Sequence, residues 1–189
     1  MKGNSRKKPD VWELRKAFHP QLKRFWLAHQ HLNSVKTHCF LKDSQERGHE
    51  LQLLSEQFAD FFTVDSTHFV PLAIQKLHLV CEIDVLLLVS PNSAHLLARS
   101  DIDNRMKTLL DGLRMPQQKS ELLNDLSAGS VQDPYYVLVE DDSQVSKLSV
   151  EYDTYLAAEQ ADIANDIVSA IISVRIRPTL VTMTNNIYL

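Results

Sequence analysis

Hydrophobic and polar positions alternate along the chain in two different rhythms, and the rhythm changes near residue 77. Before that point it is helical. Leu22, Phe25, Trp26, His29 and Leu32 fall on one stripe of a helix expected over Trp12–Leu32, broken or bent near Pro20. Leu51, Leu54, Phe58 and Phe61 recur at three- and four-residue steps, which predicts a second helix over Ser44–Phe62 with Asp43 or Ser44 as its cap. Cys39–Leu41 is too short to assign. From Leu77 to Val89 the period becomes two: Leu77, Leu79, Cys81, Ile83, Val85, Leu87 and Val89 share one face of a strand. Val80, Leu86 and Leu88 predict partial burial of its other face, and Ser90-Pro91-Asn92 ends it. A short helix is expected at Ala94–Ala98. Ile102, Met106, Leu109, Leu110 and Leu113 then place a helix over Ile102–Met115, stopped by Pro116.

Residues 116–134 are mostly polar, a length that in a compact domain usually marks a functional or mobile loop. Tyr135–Val139 and Val145–Tyr152 read as strands around an acidic turn. Tyr155–Ser169 reads as a helix with Leu156, Ile163 and Ile167 on one face, and Ile171–Arg177 as a final strand before Pro178. This order of elements predicts an α/β (α+β) fold, a mixed sheet layered with helices.

Composition narrows the class. The chain has 189 residues, 44% hydrophobic and 23% charged, which suits one soluble globular domain with an accessory segment. No stretch approaches the roughly 18 apolar residues of a membrane span, and no apolar run follows the basic start, so neither a membrane helix nor a signal peptide is expected. The two cysteines, Cys39 and Cys81, lack metal-ligand spacing and make no disulfide framework; a reducing, cytoplasmic location is the simplest expectation. Charge is unevenly spread. Residues 1–42 carry ten Lys and Arg against Asp10 and Glu13, a balance of +8, so the remainder carries −12. A basic arm that contacts phosphates, through Lys2, Arg6, Lys7 and Lys8, competes with an ordinary solvated surface.

Carboxylates cluster twice. Asp101, Asp103, Lys107 and Asp111 lie on the helix after the long strand; Asp103, Lys107 and Asp111 share about an 80° arc beside the apolar stripe. Asp101 falls at or just before the helix start, where it would cap. Asp141 and Asp142 fall in the acidic turn. A cap, an i,i+4 pair and ordinary turn chemistry explain each segment alone. If Asp101, Asp103 and Asp142 converge at one end of the sheet, their charges need protons or a cation, because two like charges about 4 Å apart repel by ~4 kcal/mol at an effective dielectric near 20. Hard oxygen donors of this kind select Mg²⁺, with Mn²⁺ the alternative.

The two segments resemble the signatures of RusA-like Holliday junction resolvases, dimeric metal-dependent endonucleases. Asp101–Leu113 reads D-x-D-N-x-x-K-x-x-x-D-x-L, and Asp141–Val145 reads D-D-S-Q-V. The resemblance covers roughly residues 77–177. It implies a small mixed β-sheet packed with helices, a homodimer, Asp101, Asp103 and Asp142 as metal ligands, and Lys107 as the catalytic lysine. Asp111 and Asp141 match supporting acids. The chain departs from the pattern in three places. Ser100 separates Arg99 from the first motif, the interval between the motifs is long, and residues 1–65 have no counterpart. A basic helical segment, 1–65, is therefore expected beside a nuclease domain, 66–189. Branched DNA is the expected partner. The alternatives are a non-cleaving structure-specific DNA-binding protein on the same fold and a D-x-D transferase, which leaves the second motif unexplained. The His positions give no zinc spacing, Arg105 and Gly112 spoil a calcium loop, and no phosphate-cradling glycine loop occurs.

Overall fold

The computed structural model describes residues 7–34, 36–38, 41, 51–89, 99–123, 134–155 and 168–188. The element order is α1 (Lys7–Ala28), α2 (Gln30–Ser34), β1 (Lys36–His38), β2 (Leu51–Leu53), α3 (Leu54–Phe61), β3 (Thr63–Val64), β4 (Thr67–Ala73), β5 (Leu79–Val89), α4 (Arg99–Leu113), β6 (Tyr135–Val139), β7 (Val145–Thr154) and β8 (Val168–Pro178). The fold is α+β: small sheets in the orders β1-β2, β3-β4-β6 and β7-β5-β8 packed with helices. No helix of the described residues is long and apolar enough to cross a membrane.

The long alternating segment is β5, the centre of the third sheet, and it begins at Leu79 and not Leu77, because Gln75–Leu77 close a 3-10 turn and His78 takes a left-handed φ of 53°. Its odd positions from Leu79 to Val89 are buried, as the period-two pattern requires. β7 runs parallel to it and β8 antiparallel. On the outer face Glu82 meets Arg177 at 2.8 Å and Arg175 at 3.6 Å, and Asp84 meets Lys147 at 3.0 Å. β8 begins at Val168, opposite Val89, so Val168 and Ser169 are strand and not the end of a helix. An eleven-residue β5 templates a partner of equal length. The other residues of that expected helix, apart from Tyr155, lie outside the described residues, as does the segment expected as Ala94–Ala98.

In the sheet β3-β4-β6, strands β4 and β6 are nearly buried on both faces, so they carry continuous apolar runs, not alternation. That is why β4, with Phe69, Val70, Leu72 and Ala73 buried, has no readable period. Pro71 is tolerated because β3 pairs only with Thr67 and His68, leaving β4 an edge at Pro71 on that side. β6 pairs parallel with β4 on the other. β6 and β7 flank the acidic turn but belong to different sheets.

Two helical expectations need correction. α1 passes through Pro20 and the chain breaks at His29 instead. Buried Trp12, Arg15, His19 and Trp26 hold α1 on the core, and that burial outweighs the ~3 kcal/mol of an internal proline. Gln21 Nε2 donates to the Ala17 carbonyl beside Pro20 (3.1 Å), and at the break Asn33 Nδ2 caps the Leu27 carbonyl (3.2 Å). The second helix starts at Leu54, not Ser44: Leu51–Leu53 pair with Lys36–His38 in a ladder. Glu56 accepts the Leu53 N–H at 2.9 Å, and buried Gln57 Nε2 donates to Thr37 O (2.9 Å) and Gln52 O (3.2 Å). The side chain of a helical residue therefore completes the ladder, a contact no periodicity encodes. Asp43 and Ser44 lie outside the described residues.

One hydrophobic cluster runs from Trp12 to Val139 and includes α1, β4, β5, α4 and β6. Position 65 falls in the two-residue turn between paired β3 and β4, so one core spans both sides of the boundary expected there. α1 approaches α4 at Gly112, where an added Cβ would lie 2.8 Å from Leu14 Cβ. Gly112→Ala is accordingly expected to destabilise the fold by about 1–2 kcal/mol, since overpacking outweighs the ~1 kcal/mol gained in helix propensity. Urea unfolding measures this; a stabilised variant would mean that the two helices separate freely.

Candidate metal centre

The first motif occupies α4. Its apolar stripe is buried at Met106, Leu109 and Leu113, and Asp103 and Lys107 are exposed on the other side. Asp101 is the third helical residue and not the cap before the helix, because α4 begins at Arg99. The Asp101 side chain lies outside the described residues. Asp103 to Asp111 spans eight residues, a rise of about 12 Å along the axis. Among the described residues no ion pair engages Asp103 or Lys107. Asp111 is different: it accepts from Arg114 at 3.1 Å.

The second motif is built by capping. Asp141 is the N-cap of the 3-10 turn Asp142–Gln144, and its carboxylate accepts the Ser143 N–H at 3.0 Å. Buried Gln144 returns the favour, its Oε1 accepting the Asp141 N–H at 3.1 Å and its Nε2 donating to Glu140 at 3.3 Å. This reciprocal arrangement is the D-x-x-Q form of a capping box. Glu140 in turn accepts the Gln75 N–H at 2.8 Å. Asp142 takes no part in the cap and is exposed.

The Ser143 hydroxyl and backbone N–H hold the Asp141 carboxyl below the usual carboxylate range, helped by Asp142 and by the charge of Arg114. A lowered folded pKa stabilises above the unfolded value, about 3.9, and the benefit is lost as pH falls through the folded value. Asp141→Asn, which can still accept from Ser143, is expected to show its stability deficit at pH 5–7 and to converge with the parent only once pH has fallen below the folded value. Thermal melts across that range measure it; a deficit independent of pH would assign the cap to neutral hydrogen bonding alone.

The two motifs meet through the C-terminal end of α4. Met115 N–H donates to Val139 O at 2.9 Å, and Arg114 bridges Val139 in parallel. Gln117 Nε2 donates to Glu140 O at 2.8 Å. Arg15 caps this helix end, donating to Asp111 O at 2.7 Å and Arg114 O at 3.3 Å. Arg15 is thus one cation of the basic segment that the core removes from any phosphate-binding surface, and Lys16 is paired with Glu13 at 2.8 Å. Lys7 and Lys8 lie in the first turn of α1, while Lys2 and Arg6 are outside the described residues.

Among the described residues, no three His, Cys, Asp or Glu side chains are grouped to hold a metal ion. The third expected ligand, Asp101, has its side chain outside that set. The exposed carboxylates of Asp103 and Asp142 fit a hard divalent cation in chemistry: oxygen donors, solvent access for metal-bound water, and no competing ion pair among the described residues. A separate cavity of about 430 Å³, walled by Phe18, Leu22, Phe25, Leu138, Ile172 and Val174, carries no carboxylate and is no place for phosphate chemistry. No family model, curated protein or solved structure matches the chain.

Three residues that build the site region, Arg15, Arg114 and Gln144, are given no role of their own by the sequence pattern. Gln144 had a local signal, three residues after an N-cap aspartate. Arg114 had a weaker one, a cation just past a helix C-terminus. Arg15 had none, since nothing local marks an arginine for burial.

Proposed function

We propose that the protein is a RusA-like, Mg²⁺-dependent endonuclease that nicks branched DNA such as Holliday junctions, in recombination or repair, as a cytoplasmic homodimer. The observation that carries this reading is a division of labour within the two motifs. Asp111, Gly112, Leu113, Asp141 and Gln144 are engaged in packing, pairing or capping, while Asp103, Lys107 and Asp142 face solvent. Motif residues that stay out of the fold's own contacts are available for substrate and metal.

Asp101, Asp103 and Asp142 would hold the cation, with Mn²⁺ an alternative to Mg²⁺. A cation held there would supply polarisation of the scissile phosphate and a lowered pKa for an attacking water. Lys107 lies one helical turn from Asp103 on the same side, so its ammonium can stabilise the negative charge that develops on the phosphoryl oxygens. The cations of the amino-terminal segment supply attraction to the DNA arms, which an acidic body would otherwise repel.

Incubation with a four-way junction and a linear duplex, with and without Mg²⁺, tests the reading. Nicks placed symmetrically across the junction are expected. A junction bound but left uncut would make the protein a structure-specific DNA-binding protein. Lys107→Ala is expected to lower the single-turnover rate at saturating protein by about 10²–10³-fold with little change in affinity, because a contact made in the transition state appears in the rate. An unchanged rate with weakened binding would make Lys107 a phosphate anchor.

A further inference from the structure

We propose that the cavity between α1 and β8 is a binding site for an uncharged, largely apolar small molecule carrying one hydroxyl or carbonyl group. The inference goes beyond the nuclease reading and does not depend on it. β8 is an edge strand whose Ile172 and Val174 stand opposite buried Val85 and Ile83 of β5, so they lie on the core face of the sheet. α1 faces them across the cavity without closing on them: Val174 is 42% exposed, and Phe25 on the helix is 46% exposed. Buried Leu113 of α4 and Leu138 of β6 form the floor of the space, which measures about 430 Å³. Such a volume, apolar walls and a few polar groups are the usual construction of a small-molecule site.

The polar groups argue for an occupant. Three side chains of the wall can hydrogen-bond, Gln21, His29 and Tyr188. Gln21 is engaged by the Ala17 carbonyl at 3.1 Å. The Tyr188 hydroxyl and His29 Nδ1 are buried and have no partner. Both residues are held by their backbones. Buried Asn185 ties down the turn Asn186–Tyr188, its Nδ2 donating to Leu77 O at 2.8 Å and Leu180 O at 2.7 Å, and the Tyr188 N–H donates to Asn185 O at 3.0 Å. At the break after α1, the His29 N–H donates to Phe25 O at 2.9 Å. An unpaired buried polar atom costs stability, and most such atoms in folded proteins find a partner. Water can pair these two, but the apolar walls around them hold it poorly. Burial pushes the Tyr188 hydroxyl above its usual pKa range, so it stays neutral and can donate. Among the described residues no Asp, Glu, Lys or Arg lines the cavity, so a charged ligand would enter without a counter-ion.

Isothermal titration with three probes of similar size tests the inference: 4-propylphenol, propylbenzene and 4-propylbenzoate. Saturable binding of 4-propylphenol is expected, with propylbenzene about three- to tenfold weaker for want of a hydrogen bond. The anionic benzoate should be weaker than the phenol by about tenfold or more. In Tyr188→Phe/His29→Leu the preference for the phenol is expected to vanish while propylbenzene binds as before. If that variant fails to fold, Tyr188→Phe alone, which removes only an unpaired hydroxyl, is expected to reduce the preference. Val174→Trp fills the space from its open side and should abolish binding of both neutral probes to protein shown to be folded by circular dichroism. Ala170→Trp, at an exposed position of the same wall, replaces it if Val174→Trp does not fold. No saturable binding of 4-propylphenol to the parent would overturn the inference. So would benzoate bound as tightly as the phenol, a preference that survives without the hydroxyl and the imidazole, or full binding to the tryptophan variant. A shift in sedimentation of the tryptophan variant, in a protein that takes up no probe, would give the cavity to a second copy of the chain and overturn it equally.

Discussion

Asp142→Asn and Asp103→Asn are each expected to lower junction cleavage by roughly a thousandfold, about 4 kcal/mol of transition-state stabilisation, while binding of the junction is kept or strengthened. Both side chains are exposed, and neither is in an ion pair among the described residues. An amide is nearly the same size as a carboxylate, so the helix and the turn should fold as before. What changes is the donor: a neutral amide ligates a hard divalent cation poorly. Removing negative charge beside DNA phosphates also relieves repulsion, which accounts for the retained or tighter binding. Asp141→Asn is the internal comparison, because Asp141 serves the cap and not the solvent-facing position. Single-turnover cleavage in Mg²⁺ and junction binding in Ca²⁺ measure the two halves of this expectation. Near-parental cleavage in both Asp103→Asn and Asp142→Asn would sink the assignment of the centre.

Arg15→Ala is expected to destabilise the fold by about 3–5 kcal/mol. Arg15 is 2% exposed, and burial pulls its pKa down only to about 10, so it is a buried cation at neutral pH. It is stabilised by what surrounds it. The Asp111 and Arg114 carbonyls accept its hydrogen bonds at the negative end of the α4 dipole. Its guanidinium lies 5.0 Å from the centroid of the Trp12 ring, and Trp12 Nε1 donates to Glu121 O at 2.7 Å. Truncation orphans two carbonyls and leaves a cavity beside Trp12. Arg15→Lys keeps the charge but not the fork, so partial recovery is expected. Guanidinium unfolding at neutral pH measures both. A loss below about 1 kcal/mol would mean that water replaces the guanidinium at the helix end, contrary to its burial.

These two residues mark opposite limits of what local pattern carries. What is legible at Asp142 is its place in the turn: an N-cap aspartate before it, a glutamine three residues after that cap, and then a strand. The alternation of β5 and the stripe of α4 are legible for a related reason. Each has one face on the core and one in water, and that difference is written at the period of the element. Where both faces are buried, as in β4, the period disappears. Where a short ladder takes residues from a helical stripe, as Leu51–Leu53 do, the same spacing fits both states until a partner strand decides.

The sequence by itself determined the α+β class, β5 from Leu79 to its end, most of α4, both flanks of the acidic turn, and the two motifs with their order. These depend on periodicity and on capping over a few residues. Tertiary structure alone decided that β6 and β7 enter different sheets, that α1 survives Pro20, that Arg15 belongs to the core, and that the chain leaving α4 pairs with the end of β6 before the second motif. Each of those depends on contacts between residues far apart in the chain. Arg15 reaches Asp111 across 96 positions, and His19 Nδ1 accepts the Tyr136 N–H at 3.0 Å across 117. Such contacts are fixed by how the faces pack once the elements exist, because a buried polar group must find a partner wherever the fold happens to offer one.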